Sequence, residues 1–301
     1  MAIFKLTIPI YTIVFLGWWL QYKGYYNKEV NSFISFITYR IMLPLSIFMK
    51  ISTSDMVITN QTLLFFGIMF AQLFIFYIFF TKLFQKQGFE SFVNSIRGNS
   101  IYLGFPVMMQ LLPANILPLG MVIASAISPI TIFGIEMMYR QNIRHSGKQM
   151  RKASFLKNPL IQGLLLGTIF NYFNIWNPLL GDVISQITKP VMFLSLIIVG
   201  ANFNTKSLKK AELSIQMIVI LLVKLIAMPL IFIATALFLD FDISYTAIGI
   251  VLFSTPGAVS NYVILAELDE ASDLTVNCTL IGTAIYLVML PAIGYLVSLV
   301  V

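Results

Sequence analysis

Runs of about twenty predominantly apolar residues follow one another from one end of this chain to the other. Each is long enough to cross a hydrocarbon core of about 30 Å. Such a chain must satisfy its backbone polar groups within each crossing segment, which favours helices as the spanning element. Ten spans can be set out, at roughly 4–22, 30–49, 62–83, 91–112, 116–139, 159–176, 180–201, 213–238, 244–267 and 273–299. Composition agrees: of 301 residues 58% are hydrophobic and only 10% charged, far from soluble globular usage. The first segment, Phe4–Tyr22, is full length and lacks a small-residue cleavage pattern, so it reads as a span and not as a cleaved signal.

Lysine and arginine orient the spans. The loop 140–157 holds Arg140, Arg144, Lys148, Arg151, Lys152 and Lys157, and the loop after span 7 holds Lys206, Lys209 and Lys210. With Lys23, Lys28, Lys82 and Lys86, thirteen cations fall on one side of ten alternating spans, against Lys5 and Lys50 on the other. The positive-inside rule puts these loops in the cytoplasm and both termini outside, in a multi-pass protein of the cytoplasmic membrane. The formal net charge of +7 is then a property of loops and not a nucleic-acid footprint. A single Cys278 excludes an intrachain disulfide, and the lone His145 sits in the basic loop. Neither a metal cluster nor a Cys–His or Ser–His pair is present in pattern, so the sequence points to no enzyme and no cofactor.

The chain carries an internal repeat. At an offset of 150 residues Pro9 aligns with Pro159, Gly17 with Gly167 and Asn27 with Asn177. The stretch "ISFITYRIMLPLSIF" from Ile34 shares six identities in fifteen with "ISQITKPVMFLSLII" from Ile184. The same offset lays Pro106 on Pro256. The halves, 1–150 and 151–301, hold five spans each, and an odd number inverts the second half in the membrane. The expected fold is all-α, with ten transmembrane helices in two inverted five-helix repeats and broken helices crossing near the midplane.

The breaks are expected in spans 4 and 9, because each contains a proline among small and polar residues. Span 4 reads "RGNSIYLGFPVM", with Asn99, Ser100, Tyr102, Gly104 and Pro106; span 9 supplies Ser254, Thr255, Pro256, Gly257, Ser260, Asn261 and Tyr262. A proline inside a helix removes one backbone bond, and irregular backbone at depth is tolerated only where it lines protein or a watery cavity. Two such breaks brought together would form a cage of unpaired N–H and C=O groups, with half-helix N-termini favouring an anion. The bland alternative is a pair of ordinary kinks with polar residues as packing glue.

Charges at depth point the same way. Arg40, Arg97, Lys189 and Lys224 fall within spans, whereas the acid placed comparably is Glu136, near the end of span 5. Lys224 lies about 16 Å into span 8, close to the midplane, and is assigned a coupling or structural charge: an ammonium facing freed carbonyls in place of a sodium ion. Arg40 and Lys189 sit at near-equivalent places in spans 2 and 7 and either face the cavity or snorkel; Arg97 reads as a snorkelling residue. A cation surplus implies an anionic substrate. The sequence shows no buried carboxylate pair, which leaves proton coupling and uniport open.

The motifs resemble a known family. "GNSIYLGFPV" has the N-[ST]-x-x-x-G-x-P pattern of the auxin efflux carrier family, which includes plant PIN-type carriers and bacterial organic-acid permeases. "KNPLIQGLLLG" (Lys157–Gly167) resembles the family's sixth span, and the stretch Thr255–Pro291 its ninth and tenth. The resemblance covers the whole chain. It implies a fold similar to bile-acid and sodium–proton carriers, with spans 1, 2, 6 and 7 as scaffold and spans 3–5 and 8–10 as a transport domain moving in elevator fashion. It also implies that Asn99 and the Pro106/Pro256 crossing contact a substrate carboxylate, malate or a similar small acid. The partners implied are this carboxylate, the lipid bilayer and a coupling proton or sodium ion; a homodimer stays open. Two departures are plain. The long cytoplasmic loop of PIN-type proteins is reduced to residues 140–157, and the acid they place in span 3 has no obvious counterpart, Gln72 being the only strongly polar residue in the middle of that span. A sodium-coupled relative and a sensor built on the same fold are the competing readings.

Overall fold

The computed structural model describes residues 2–53, 59–142, 158–203, 214–258, 260–268, 270 and 272–301. His145 lies outside the described residues, and so do Arg144, Lys148, Arg151, Lys152, Lys157, Lys206, Lys209 and Lys210, on which most of the orientation rests, and the side chains of Arg140 and Glu136. Within the described residues the regular structure is helical apart from one isolated antiparallel bridge. The helices are α1 (Ala2–Tyr22), α2 (Lys28–Ile37), α3 (Leu43–Ser52), α4 (Asn60–Phe84), α5 (Gly88–Ile96), α6 (Phe105–Leu111), α7 (Leu117–Asn142), α8 (Pro159–Tyr172), α9 (Pro178–Thr188) and α10 (Val191–Ala201). They continue as α11 (Ile215–Leu222), α12 (Met228–Phe238), α13 (Ile243–Ser254), α14 (Asn261–Glu267) and α15 (Asp273–Val300). Among the described residues six continuous stretches are long and apolar enough to cross a membrane: Lys28–Ser52, Asn60–Phe84, Leu117–Tyr139, Pro178–Ala201, Ile215–Phe238 and Asp273–Val300. The protein is thus an all-helical, multi-pass membrane chain.

Helix starts follow their sequence signals. Asn158 and Asn177 each precede a proline, and each side chain accepts a hydrogen bond from the amide two residues on. The missing proline N–H costs nothing there, because the first amides of a helix lack intrahelical partners anyway. Prolines further inside behave differently. Pro44, Pro106 and Pro229 are each preceded by a π turn: Thr38–Met42, Ser100–Gly104 and Val223–Ala227. The ring clashes with the carbonyl four residues back and supplies no donor to it, and widening the preceding turn relieves both faults. These prolines therefore displace the helical register without stopping the helix. Pro106 sits in the first turn of α6 and is not itself the break of span 4, contrary to the sequence expectation.

Contacts divide the chain into two compact units. The first comprises Met1–Val57, Ile101–Pro129 and Ser154–Phe203. In it α1 packs along α10, and α3 along α8, at glycines that admit no side chain. A Cβ on Gly17 would meet the Ile197 carbonyl oxygen, and one on Gly200 the Val14 carbonyl oxygen. In the other pair a Cβ on Gly167 would lie 3.0 Å from Phe48 O, and one on Gly163 would strike Pro44 O. Gly17 against Ile197 and Gly167 against Phe48 reproduce the 150-residue offset to within one position.

The second unit comprises Ile58–Ser100, Ile130–Ala153 and Asn204–Val301. Its core is aromatic: the Phe232 and Phe253 rings stack at 4.6 Å with Phe65 edge-on to Phe232 at 5.2 Å, and Gly249 leaves room for the Phe232 ring. Helix α5 packs on α4, α11 and α15, which carries its C-terminal end into the interior of the unit.

Adding a methyl group at Gly200 or Gly17 should destabilise the protein by about 1–3 kcal/mol, because backbone cannot yield as a side chain can. Gly67, in the interior of α4 with nothing within 4 Å of a built Cβ, is the control, and G67A should be neutral or slightly stabilising. Thermal midpoints of the purified variants in one detergent check both.

Candidate functional site

Helix α5 ends at Ile96 and α13 at Ser254, and the extended residues after each run past one another. Gly98 and Gly257 form the antiparallel bridge. The Asn99 N–H donates to Pro256 O at 2.7 Å, and the Ala258 N–H donates to Arg97 O at 3.0 Å. The break in span 4 thus falls at residues 97–99, and the one in span 9 begins at Thr255, with Pro256 inside it. Its backbone groups are not bare, as the sequence suggested: several are paired across the crossing. The physical reason is the cost of a buried peptide group without a partner, which is greatest in a water-poor interior. Recognition at this site therefore falls to side chains.

Gly98 is required by its surroundings. A Cβ there would land on Thr255 Oγ1 and lie 3.0 Å from Lys224 Nζ. Thr255 and Ser254 are committed to their own helix, their hydroxyls donating to Leu252 O at 2.7 Å and Ile250 O at 2.6 Å. Lys224 occupies the π turn before Pro229 and is only 2% exposed. Its ammonium donates to Phe253 O at 3.5 Å, a carbonyl near the C-terminal end of α13, and approaches Met228 Sδ at 3.9 Å. The carbonyl of Met228 also accepts from Gln72 Nε2 at 3.3 Å, while Gln72 Oε1 is buried without a hydrogen-bond partner. Lys224 thus lies beside the crossing and faces a helix-end carbonyl.

Arg97 departs from expectation. It does not snorkel: it is 7% exposed, with Nη1 donating to Ser260 Oγ at 2.7 Å and to Asn261 Oδ1 at 3.0 Å. Asn261, fully buried at the start of α14, donates in turn to Asn94 Oδ1 at 3.4 Å and Arg97 O at 3.3 Å. Asn94 Nδ2 donates to Thr275 Oγ1 at 2.9 Å, and Thr275 Oγ1 to Glu90 Oε1 at 2.6 Å. Glu90 is buried and also accepts from Ser272 N at 3.0 Å and from Ser272 Oγ at 2.7 Å. The sequence reading overlooked Glu90 and Asn94. The signal was there: Glu90, Asn94 and Arg97 recur at i, i+4 and i+7, one face of a helix.

Asn99 and Ser100 are buried at the crossing, whereas Tyr262 is 46% exposed. Tyr102, Gly104 and Pro106 belong to the first unit, where the Tyr102 ring lies 6.4 Å from Tyr39 and Gly104 precedes α6. Arg40 and Lys189, also in the first unit, are exposed. Arg40 lies over the Phe36 ring at 5.9 Å and Lys189 donates to Gln186 Oε1 at 3.2 Å. Because α14 has only seven residues, the buried amides and cations shape this site more than a helix dipole does. Among the described residues no group of three His, Cys, Asp or Glu is placed to hold a metal ion.

Gly98→Ala should lower the thermal midpoint by the equivalent of about 1–3 kcal/mol, because the methyl group meets Thr255 and Lys224 together. Gly257→Ala, whose Cβ would have its nearest neighbour at 3.5 Å, should be milder. Differential scanning fluorimetry of the two proteins checks the order.

The family described as membrane transport protein matches the chain twice, over residues 2–153 and 143–294. A search of curated proteins returns no match.

Proposed function

The chain belongs to the membrane transport protein family, the auxin efflux carrier grouping that its motifs resemble, and we infer that it carries small organic anions across the cytoplasmic membrane. The observation that carries this reading is the pair of buried cations at the break, Arg97 next to Gly98 in the chain and Lys224 with its Nζ 3.0 Å from where a Cβ on Gly98 would lie. Placing a charge at membrane depth is costly, by about 2.5–3.5 kcal/mol on insertion scales, and such groups mark substrate or ion pathways. Two of one sign at one crossing favour a negative guest. Buried, paired backbone leaves selection to the guanidinium and to the amides of Asn99 and Asn261, which suits a carboxylate. Ser100, Ser254, Thr255, Pro256 and Gly257 shape the wall, and Tyr102, Gly104 and Pro106 continue span 4 beyond the break.

In this reading ten spans form two inverted repeats, 1–150 and 151–301, with both termini outside the cell. The reciprocal glycine contacts of Gly17 and Gly167 support the inversion. Spans 1, 2, 6 and 7 form the scaffold and spans 3–5 and 8–10 the moving domain. What supports that division is that the helices of spans 1, 2, 6 and 7 fall in one compact unit and those of spans 3, 8, 9 and 10 in the other, whereas spans 4 and 5 are divided between the two. Lys224 is the coupling charge: its fixed ammonium against Phe253 O takes the part of a bound sodium ion and can release a proton during the cycle. A sodium-coupled mechanism would need that site vacated.

Uptake of radiolabelled malate and malonate into proteoliposomes tests the function. Accumulation driven by a proton gradient, unchanged when sodium is replaced by choline, is the expected result. K224A should reduce gradient-driven accumulation to the level of empty liposomes while counterflow of the bound anion persists. Sodium-dependent uptake, or gradient-driven uptake by K224A at the wild-type rate, contradicts the coupling; no transport of any carboxylate contradicts the carrier.

A further inference from the structure

In the first unit Asn31 Nδ2 donates to Asn202 Oδ1 at 3.5 Å, just past the end of α10. The π turn Thr38–Met42, further along span 2, packs on α10 as well, so the two segments run antiparallel. Seven residues inward on each, Thr38 and Ser195 come level, about 10 Å deeper. Each lies on the same helix face as its outer partner: Asn31, Ser35 and Thr38 recur at i, i+4 and i+7, and Ser195 and Asn202 at i and i+7. Gly200, which faces α1, lies about 140° round the helix from Ser195. Between the two rungs the Tyr102 and Ser35 hydroxyls are bonded to each other and Tyr26 lies near Tyr102, its ring packed on Ile197 and Ala201.

Along this seam four polar atoms are buried without a hydrogen-bond partner: Thr38 Oγ1, Ser195 Oγ, Tyr26 OH and Asn31 Oδ1. Thr38 and Ser195 are fully buried and Tyr26 is 6% exposed. A helical serine or threonine ordinarily escapes this cost by donating to the carbonyl four residues back. Buried Ser91, Ser95, Ser125 and Ser254 do so, and so does Thr188, the counterpart of Thr38 at the 150-residue offset. Thr38 and Ser195 do not, although each has such a carbonyl within its own helical stretch. We propose that water occupies the seam between α2 and α10, bridging Thr38 Oγ1 to Ser195 Oγ and supplying partners for Tyr26 OH and Asn31 Oδ1. A buried water makes about three hydrogen bonds and settles where otherwise unsatisfied polar groups face one another. Two hydroxyls that come level across a helix pair without bonding each other leave the span that one water fills. In the orientation set by the basic loops the seam begins at the cytoplasmic end, where Asn31 and Asn202 are partly exposed, and it reaches Tyr102, three residues past Asn99 in span 4. This water is bound whether or not the protein carries anions.

Two measurements on the purified full-length protein test this. X-ray radiolytic footprinting generates hydroxyl radicals from water where it is bound, so a buried side chain beside such water is oxidised quickly. Tyr26 should be oxidised several-fold faster than Tyr245, which is 5% exposed but has its hydroxyl bonded to Thr59 and Thr62. Oxidation of Tyr26 no faster than of Tyr245 overturns the hydrated seam. The second measurement is a double-mutant cycle of thermal midpoints with T38V, S195A and T38V/S195A. Were the two hydroxyls dry, each substitution would remove an unsatisfied polar group and raise the midpoint, and the two effects would add. With a shared water each should lower the midpoint, and the double variant should fall by less than the sum, because the first substitution has already lost the bridge. Raised midpoints, or additive ones, overturn the bridge between Thr38 and Ser195. Should either variant fail to purify, Tyr26 oxidation in the wild-type protein still decides for or against bound water.

Discussion

A peptide group in hydrocarbon has no water to fall back on, and every unpaired N–H or C=O at that depth costs several kcal/mol. That constraint explains why two helices of this protein can be interrupted at all. The interruption at residues 97–99 is tolerated because residues 255–258 are interrupted beside it, and the two exchange backbone hydrogen bonds across Gly98 and Gly257. Gly98 is held by the same logic, since any side chain would part the strands from Thr255 and Lys224. Once the backbone is paired, chemistry passes to the side chains brought with it.

Those side chains bring two basic groups into a buried place. Burying an ion is compensated only by well-placed hydrogen bonds or a counter-charge. Lys224 has a helix-end carbonyl, Phe253 O, and a thioether; Arg97 has a hydroxyl, an amide and, through three neutral links, the carboxylate of Glu90. The arrangement compensates each cation in part and orients it. On the proposed function, a guest carboxylate would complete the compensation.

How much of this was legible in the sequence varied with the range of the interaction. Helical crossing segments, the basic loops and the repeat could be read directly, because each is a local or periodic property. The offset of 150 residues holds at Gly17 and Gly167, where close helix packing demands the same small residue in both halves. At the crossing it misleads: Pro106 aligns with Pro256, yet the paired glycines are 98 and 257. Proline is conspicuous in a sequence, but a proline can be absorbed by a π turn, as at Pro44, Pro106 and Pro229, whereas pairing of distant strands leaves no local mark. Arg97 was read as snorkelling because an arginine near a span end usually does so. Its burial depends on Ser260 and Asn261, more than 160 residues away. Glu90 lay just outside the span as drawn, and only contact with α15 turns it into a buried acid.

Hydrogen–deuterium exchange, read by mass spectrometry on the full chain in nanodiscs with and without malonate, tests the central claim most directly. The amides of residues 97–99 and 256–258 should already exchange slowly without ligand, because they are paired, and saturating malonate should slow segments 97–100 and 255–261 further. Exchange at these residues as fast as in the loops, or malonate protection confined to other segments, would contradict the account.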